Sequence, residues 1–129
     1  MDHKKKGETI MTKKRVLQAV DGSIRHWLRD AVMPLELDHG IFFTHRPSGV
    51  FSAQRCALCQ LFVLKQDHCH CCPLFRVEGV WCTSLGSTYT WFITFPSLAP
   101  AKAMVAKLVE ARIYVEQIKG ENYHVYRKL

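Results

Sequence analysis

Five cysteines in a regular array, a helical stripe of apolar residues near the N-terminus and an alternating run at residues 88–95 together predict a small α+β domain. The cysteines organise the rest. They read Cys56-x2-Cys59-x9-Cys69-x2-Cys72-x9-Cys82, two C-x-x-C pairs nine residues apart and a fifth thiol after the same interval. A C-x-x-C turn is tight enough to set two sulfurs on one ion, and the spacer lets a second pair complete a tetrahedron. Zinc suits such a site, being a borderline-soft ion with no redox chemistry and no demand beyond four ligands. The expected centre is one structural Zn2+ held by four of Cys56, Cys59, Cys69, Cys72 and Cys82, with Cys71 dispensable. Around this knuckle the sequence predicts an N-terminal helix, short antiparallel strands, and a C-terminal helix followed by a β-hairpin.

Six cysteines also admit a disulfide framework, which requires an oxidising compartment. The opening MDHKKKGETIMTKKR has no apolar stretch behind its lysines, so no export signal is expected. Nothing approaches the roughly 20 apolar residues of a membrane span. A cytoplasmic, reduced, metal-binding chain is the expectation, with either Met1 or Met11 as the natural start. The 129 residues, 48% of them hydrophobic, have the size and apolar content of one domain.

The net charge of +7 raises a nucleic-acid reading, and its distribution weighs on that reading. Residues 1–15 carry six Lys/Arg against two acids, residues 112–129 four against two, and the 96 residues between them eight against seven. The charge sits at the ends. Lys4, Lys5, Lys6, Lys13, Lys14, Arg15, Arg127 and Lys128 are the candidate phosphate contacts.

Residues 1–12 read as a disordered basic tail and residues 13–129 as a single zinc-stabilised domain. From 13 to 33, Val16, Leu17, Val20, Ile24, Trp27, Leu28 and Ala31 recur at helical spacing, with a kink expected at Asp21-Gly22-Ser23 and an end at Pro34. Trp27 reads as a core anchor. Residues 40–44 and 50–54 read as short extended pieces about the turn Arg46-Pro47-Ser48-Gly49, placing Cys56 and Cys59 on a knuckle after a strand. Residues 77–82 and 88–95 read as a second extended pair joined by Leu85-Gly86-Ser87; in the latter run Tyr89, Trp91, Ile93 and Phe95 alternate with Thr88, Thr90, Phe92 and Thr94. Ser97 is placed to cap a helix with Pro100 in its first turn and Met104, Val105, Leu108 and Val109 on its buried face to about Ala111. Beyond it, Ile113-Tyr114-Val115, a turn at residues 119–122 and an extended 123–129 favour a hairpin over a continued helix.

Several of these residues carry a resemblance. Ser23-Ile24-Arg25-His26-Trp27, Cys56-Ala57-Leu58-Cys59, Cys69-x2-Cys72-Pro73-Leu74, and Cys82 with a later tyrosine resemble the S-I-x-H-W, C-A-L-C and C-x-x-C-P-L pattern of a group of small bacteriophage proteins. The resemblance spans roughly residues 16–111. It implies a phage-type zinc protein acting in a bacterial cytoplasm as an accessory factor on host machinery, and implies no reaction. Gly86-Ser87-Thr88 is an insertion near the group's usual turn, so Tyr89 is not securely the matching tyrosine.

Asp67-His68-Cys69-His70 is similar to the D-H-x-H element of endonuclease VII-type HNH nucleases. That likeness implies His68 as the base activating water, with Asp67 and His70 supporting a divalent ion on the scissile phosphate. The chain departs from the pattern: eight residues separate Cys59 from His68, and Thr83-Ser84-Leu85 follows Cys82 where the second C-x-x-C-N belongs. A zinc deaminase would need H-x-E and P-C-x-x-C, which are absent in order. The sequence therefore favours a non-enzymatic, zinc-stabilised binding domain whose partner is a host protein. Nucleic acid held by the basic ends is the alternative, and an HNH-type nuclease the minority one.

Overall fold

Small and apolar residues recurring every three or four positions after Ser97 build one long helix, and three other helices pack on it. The computed structural model describes residues 8–37, 57–64, 72–80 and 85–126. In chain order these form β1 (Glu8–Thr12), α1 (Lys13–Trp27), a π-helical turn (Leu28–Val32), α2 (Met33–Leu37), α3 (Ala57–Cys59) running into a second π-helical turn (Gln60–Leu64), α4 (Pro73–Glu78), α5 (Thr88–Thr94), α6 (Leu98–Glu116) and β2 (Asn122–Tyr126). The described fold is mostly helical, with one two-stranded sheet. The α+β expectation holds in that coarse sense, with one two-stranded sheet among the described residues.

α1 packs along α6 most extensively, and α4 and α5 pack on it as well. Its Ala101, Met104, Leu108, Ala111 and Val115 are buried, a stripe that continues past Ala111 and carries the helix to Glu116. Val109, expected on the buried face, is 41% exposed, one residue off that stripe. Ser97 occupies the N-cap position, but its hydroxyl donates to the Phe95 carbonyl at 3.2 Å and accepts no helix N–H.

The expected tail is partly a strand. β1 pairs antiparallel with β2 in the register Glu8↔Tyr126, Ile10↔His124, Thr12↔Asn122, and Lys13 N–H extends the ladder to the Glu121 carbonyl at 2.7 Å. The reason is burial. Met11 and Tyr123 face each other across the strands, both nearly inaccessible, and the Tyr123 ring meets Phe62 edge-on at 5.7 Å. Cross-strand pairs of this kind are the unit of sheet stability. The expected terminal hairpin is corrected in the same way: the strand after the turn exists, but its partner is the N-terminus, because residues 113–115 remain helical.

Thr12 opens α1 by accepting from Arg15 N–H at 3.2 Å. The expected kink at Gly22 does not occur; α1 is continuous to Trp27, and the irregularity falls at Leu28–Val32. Nor does Pro34 end the helix, since it lies inside Met33–Leu37. A proline ring clashes with the carbonyl four residues back. Here that carbonyl belongs to Asp30, inside the π-helical turn, whose wider ladder relieves the clash.

The largest correction is at residues 88–95. Residues 88–94 form helix α5, with Phe92 fully buried and Trp91 and Phe95 exposed, the reverse of the strand assignment at those three positions. Tyr89, Phe92 and Ile93 make a helical i, i+3, i+4 set, and all three pack into the core. Ser87 Oγ accepts from Thr90 N–H at 3.1 Å, and Glu78 Oε2 accepts from Thr88 N–H at 3.0 Å and from its hydroxyl at 2.8 Å. These caps and the burial of Phe92 outweigh the β propensity of the threonines and aromatics, a case of tertiary context deciding the local state. Residues 77 and 78, expected to be extended, close α4, which starts on Pro73 and stops at Gly79 with φ 78°. Residues 40–44 and 50–54 lie outside the described residues.

Candidate functional site

The cysteine array is described at two positions. Cys59 ends the short helix α3, and the strand expected to precede the knuckle lies outside the described residues. Cys72 stands in extended conformation immediately before α4 and is buried at 8% exposure, among the core residues with Leu74. Cys56, Cys69, Cys71 and Cys82 lie outside the described residues, as do Asp67, His68 and His70. Among the described residues no three or more His, Cys, Asp or Glu side chains gather where they could share a metal ion. Cys59 follows Leu58, 1% exposed, on a helix packed against α1, and Cys72 precedes the buried Pro73 and Leu74.

The S-I-x-H-W segment proves to be largely a packing element. Ser23 and Trp27 are buried, and Trp27 meets Phe92 at 4.8 Å and Tyr89 at 6.3 Å, both edge-to-face. His26 Nδ1 lies 2.7 Å from Asp30 Oδ2 one turn on, and Arg29 holds both Asp30 oxygens at 2.9 and 3.1 Å. The hydrogen bonds from Arg29 hold the Asp30 carboxyl below its usual pKa, against the opposing effect of partial burial.

The basic candidates divide. Lys13 is engaged: its ammonium donates to the carbonyls of Glu116 at 2.9 Å and Ile118 at 2.7 Å, closing the C-terminal end of α6. Lys14 and Arg15 are exposed on the same turn. Lys4, Lys5, Lys6, Arg127 and Lys128 lie outside the described residues. The pairing of Glu8 with Tyr126 means that both chain ends leave from one end of the sheet, whereas Lys14 and Arg15 stand at the other.

One surface was not anticipated. Leu85 is 95% exposed, Phe95 57% and Trp91 45%, and with Thr88, Thr90 and Thr94 they line a shallow groove of about 440 Å³ on the outside of α5. The sequence held a signal for it: residues 79–101 contain no Asp, Glu, Lys, Arg or His. Read as a strand, the run turned these rings inward. No helix among the described residues is long and apolar enough to cross a membrane. Compared with known protein families, curated proteins and solved structures, the chain matches none.

Proposed function

We propose that the chain is a small zinc-organised protein that acts by binding a protein partner, in the manner of a phage accessory factor engaging host machinery in the bacterial cytoplasm. The observation that carries the reading is the array Cys56-x2-Cys59-x9-Cys69-x2-Cys72-x9-Cys82, which suits one ion and little else at this spacing. Four of these thiolates would hold a structural zinc and fix the connections around α3 and α4. With four sulfur ligands such an ion has no open position for substrate. The exposed rings of α5 support a binding role, because aromatic side chains in an uncharged setting are the usual centre of a protein interface.

Metal analysis of the purified chain should find about one zinc with Zn–S near 2.3 Å. Cys59→Ser should lower both metal content and stability, and Cys71→Ser neither, since metal affinity and folding are coupled. A metal-free chain with bridged cysteines would end the reading. Affinity capture from bacterial lysate, with and without nuclease, addresses the partner. Capture that survives nuclease supports a protein, and capture abolished by it favours the nucleic-acid reading through Lys14, Arg15 and the chain ends. Nucleic-acid binding would also weaken with a log–log salt slope of about −0.9 per duplex phosphate contacted.

A further inference from the structure

Helix α5 is built from residues that favour a strand: all seven of Thr88–Thr94 are β-branched or aromatic. A helix that short does not persist by itself, so its state is set from outside. Part of that setting comes from α4. Glu78, the last residue of α4, accepts from Thr88 N–H at 3.0 Å and from the Thr88 hydroxyl at 2.8 Å, which places a carboxylate on the first turn of α5. Its other oxygen, Oε1, is buried and makes no hydrogen bond. An orphaned buried acceptor is a penalty that water relieves. The clamp therefore holds while α4 is fixed, and freeing α4 favours its opening. At its far end α4, six residues long, begins directly after the buried Cys72, whose carbonyl accepts from Arg76 N–H at 3.1 Å in the first turn. A thiolate held by an ion there would pin the start of a helix whose rise to Glu78 is about 9 Å.

We infer that zinc loading controls α5: with Cys72 among the four ligands, the ion pins α4, α4 sets Glu78 on Thr88, and loss of the ion opens this clamp and loosens residues 88–94. This rests on the zinc reading above, names Cys72 as a ligand and names the element that responds to the metal. The exposed pair Trp91 and Phe95 belongs to the helical state, because in an extended run both share a face with Tyr89 and Ile93, which pack into the core. Metal loading would thus govern whether these two rings are presented on the surface. The response is local. The edge-to-face contact of Phe92 with Trp27 and the bond from Thr90 N–H to Ser87 Oγ do not pass through α4, so they resist wider unfolding.

The test is hydrogen–deuterium exchange read by mass spectrometry on the full chain, first as purified with zinc and then after a chelator has withdrawn the ion under reducing conditions. Withdrawal should speed exchange at residues 88–94 by about tenfold or more, the scale of losing hydrogen bonds to a charged group. Residues 104–115 of α6 should keep their protection. Cys72→Ser should reproduce the withdrawn pattern with a lowered zinc content. Glu78→Ala should reproduce it at residues 88–94 with zinc at the parent level, which keeps the test open if Cys72→Ser fails to fold. Unchanged exchange at residues 88–94 after withdrawal, a Glu78→Ala chain that exchanges like the parent, or a Cys72→Ser chain that keeps its zinc overturns the inference and leaves the zinc reading standing. Equal loss of protection in α6 also overturns it, because the ion then holds the whole fold. A purified chain that holds no zinc and has bridged cysteines overturns both.

Discussion

Replacing Phe92 by alanine should destabilise the chain far more than replacing Trp91, its immediate neighbour. Phe92 is completely buried, with its ring 4.8 Å from that of Trp27 in an edge-to-face pair, so truncation removes the ring, the pair and the packing of α5 on the core. Phe-to-Ala changes at such sites cost about 3–5 kcal/mol. The aromatic pair contributes about 0.5–1.5 kcal/mol beyond its area, which places this one toward the upper end. A domain of this size is stable by about 5–15 kcal/mol, so the loss is a third or more of the total. Trp91 is 45% exposed and should cost about 1 kcal/mol on truncation, the scale of a half-buried side chain. Urea denaturation followed by circular dichroism measures both, with unchanged slopes showing that the midpoints report stability. The comparison decides between two arrangements of one segment. In a strand, Trp91 faces inward with Tyr89, Ile93 and Phe95, while Phe92 faces outward with the threonines. A Trp91→Ala variant less stable than Phe92→Ala would refute helix α5 and the groove built on it.

Three further outcomes follow from the same geometry. Lys13→Met keeps the aliphatic stem but removes the donor to the Glu116 and Ile118 carbonyls, and should cost about 1 kcal/mol, with faster amide exchange in the last turn of α6. Gly22→Ala should stabilise by about 0.5–1 kcal/mol in the same urea assay, since the added Cβ would meet Ala57 Cβ at an ordinary 3.6 Å within a continuous helix; Gly120→Ala, at φ 87°, should destabilise. Because the folded-state pKa of Asp30 is lowered, its contribution to stability is complete above the ordinary aspartate value of about 3.9 and is lost as pH falls through the depressed one. Asp30→Asn should therefore flatten the acid limb of the stability–pH curve while narrowing its gap to the parent at the lowest pH.

A truncation follows from the sheet rather than from the charge pattern. Removing residues 1–12 would delete β1 and the buried Met11, so loss of activity in that variant would report unfolding of the sheet. A basic-tail test should stop at residue 7, before the first paired strand residue.

The sequence by itself determined the helices whose apolar stripe is long and whose ends are marked. α1 was legible from Val16, Val20 and Trp27, and α6 from Pro100, Met104 and Leu108, because a 3.6-residue period over several turns has few competing explanations. The role of Trp27 as a core anchor was legible for the same reason. The zinc proposal rests on the cysteine spacing alone. Tertiary structure decided the rest. Eight residues that alternate in one pattern and also satisfy i, i+3, i+4 in another cannot choose alone; the contact of Phe92 with Trp27 and the carboxylate of Glu78 chose for α5. Pairing of β1 with β2 joins residues more than a hundred positions apart, and no local propensity encodes a partner at that distance. Lys13 shows the same limit from the side of function: its charge is plain in the sequence, but two carbonyls at the far end of the chain had already claimed it.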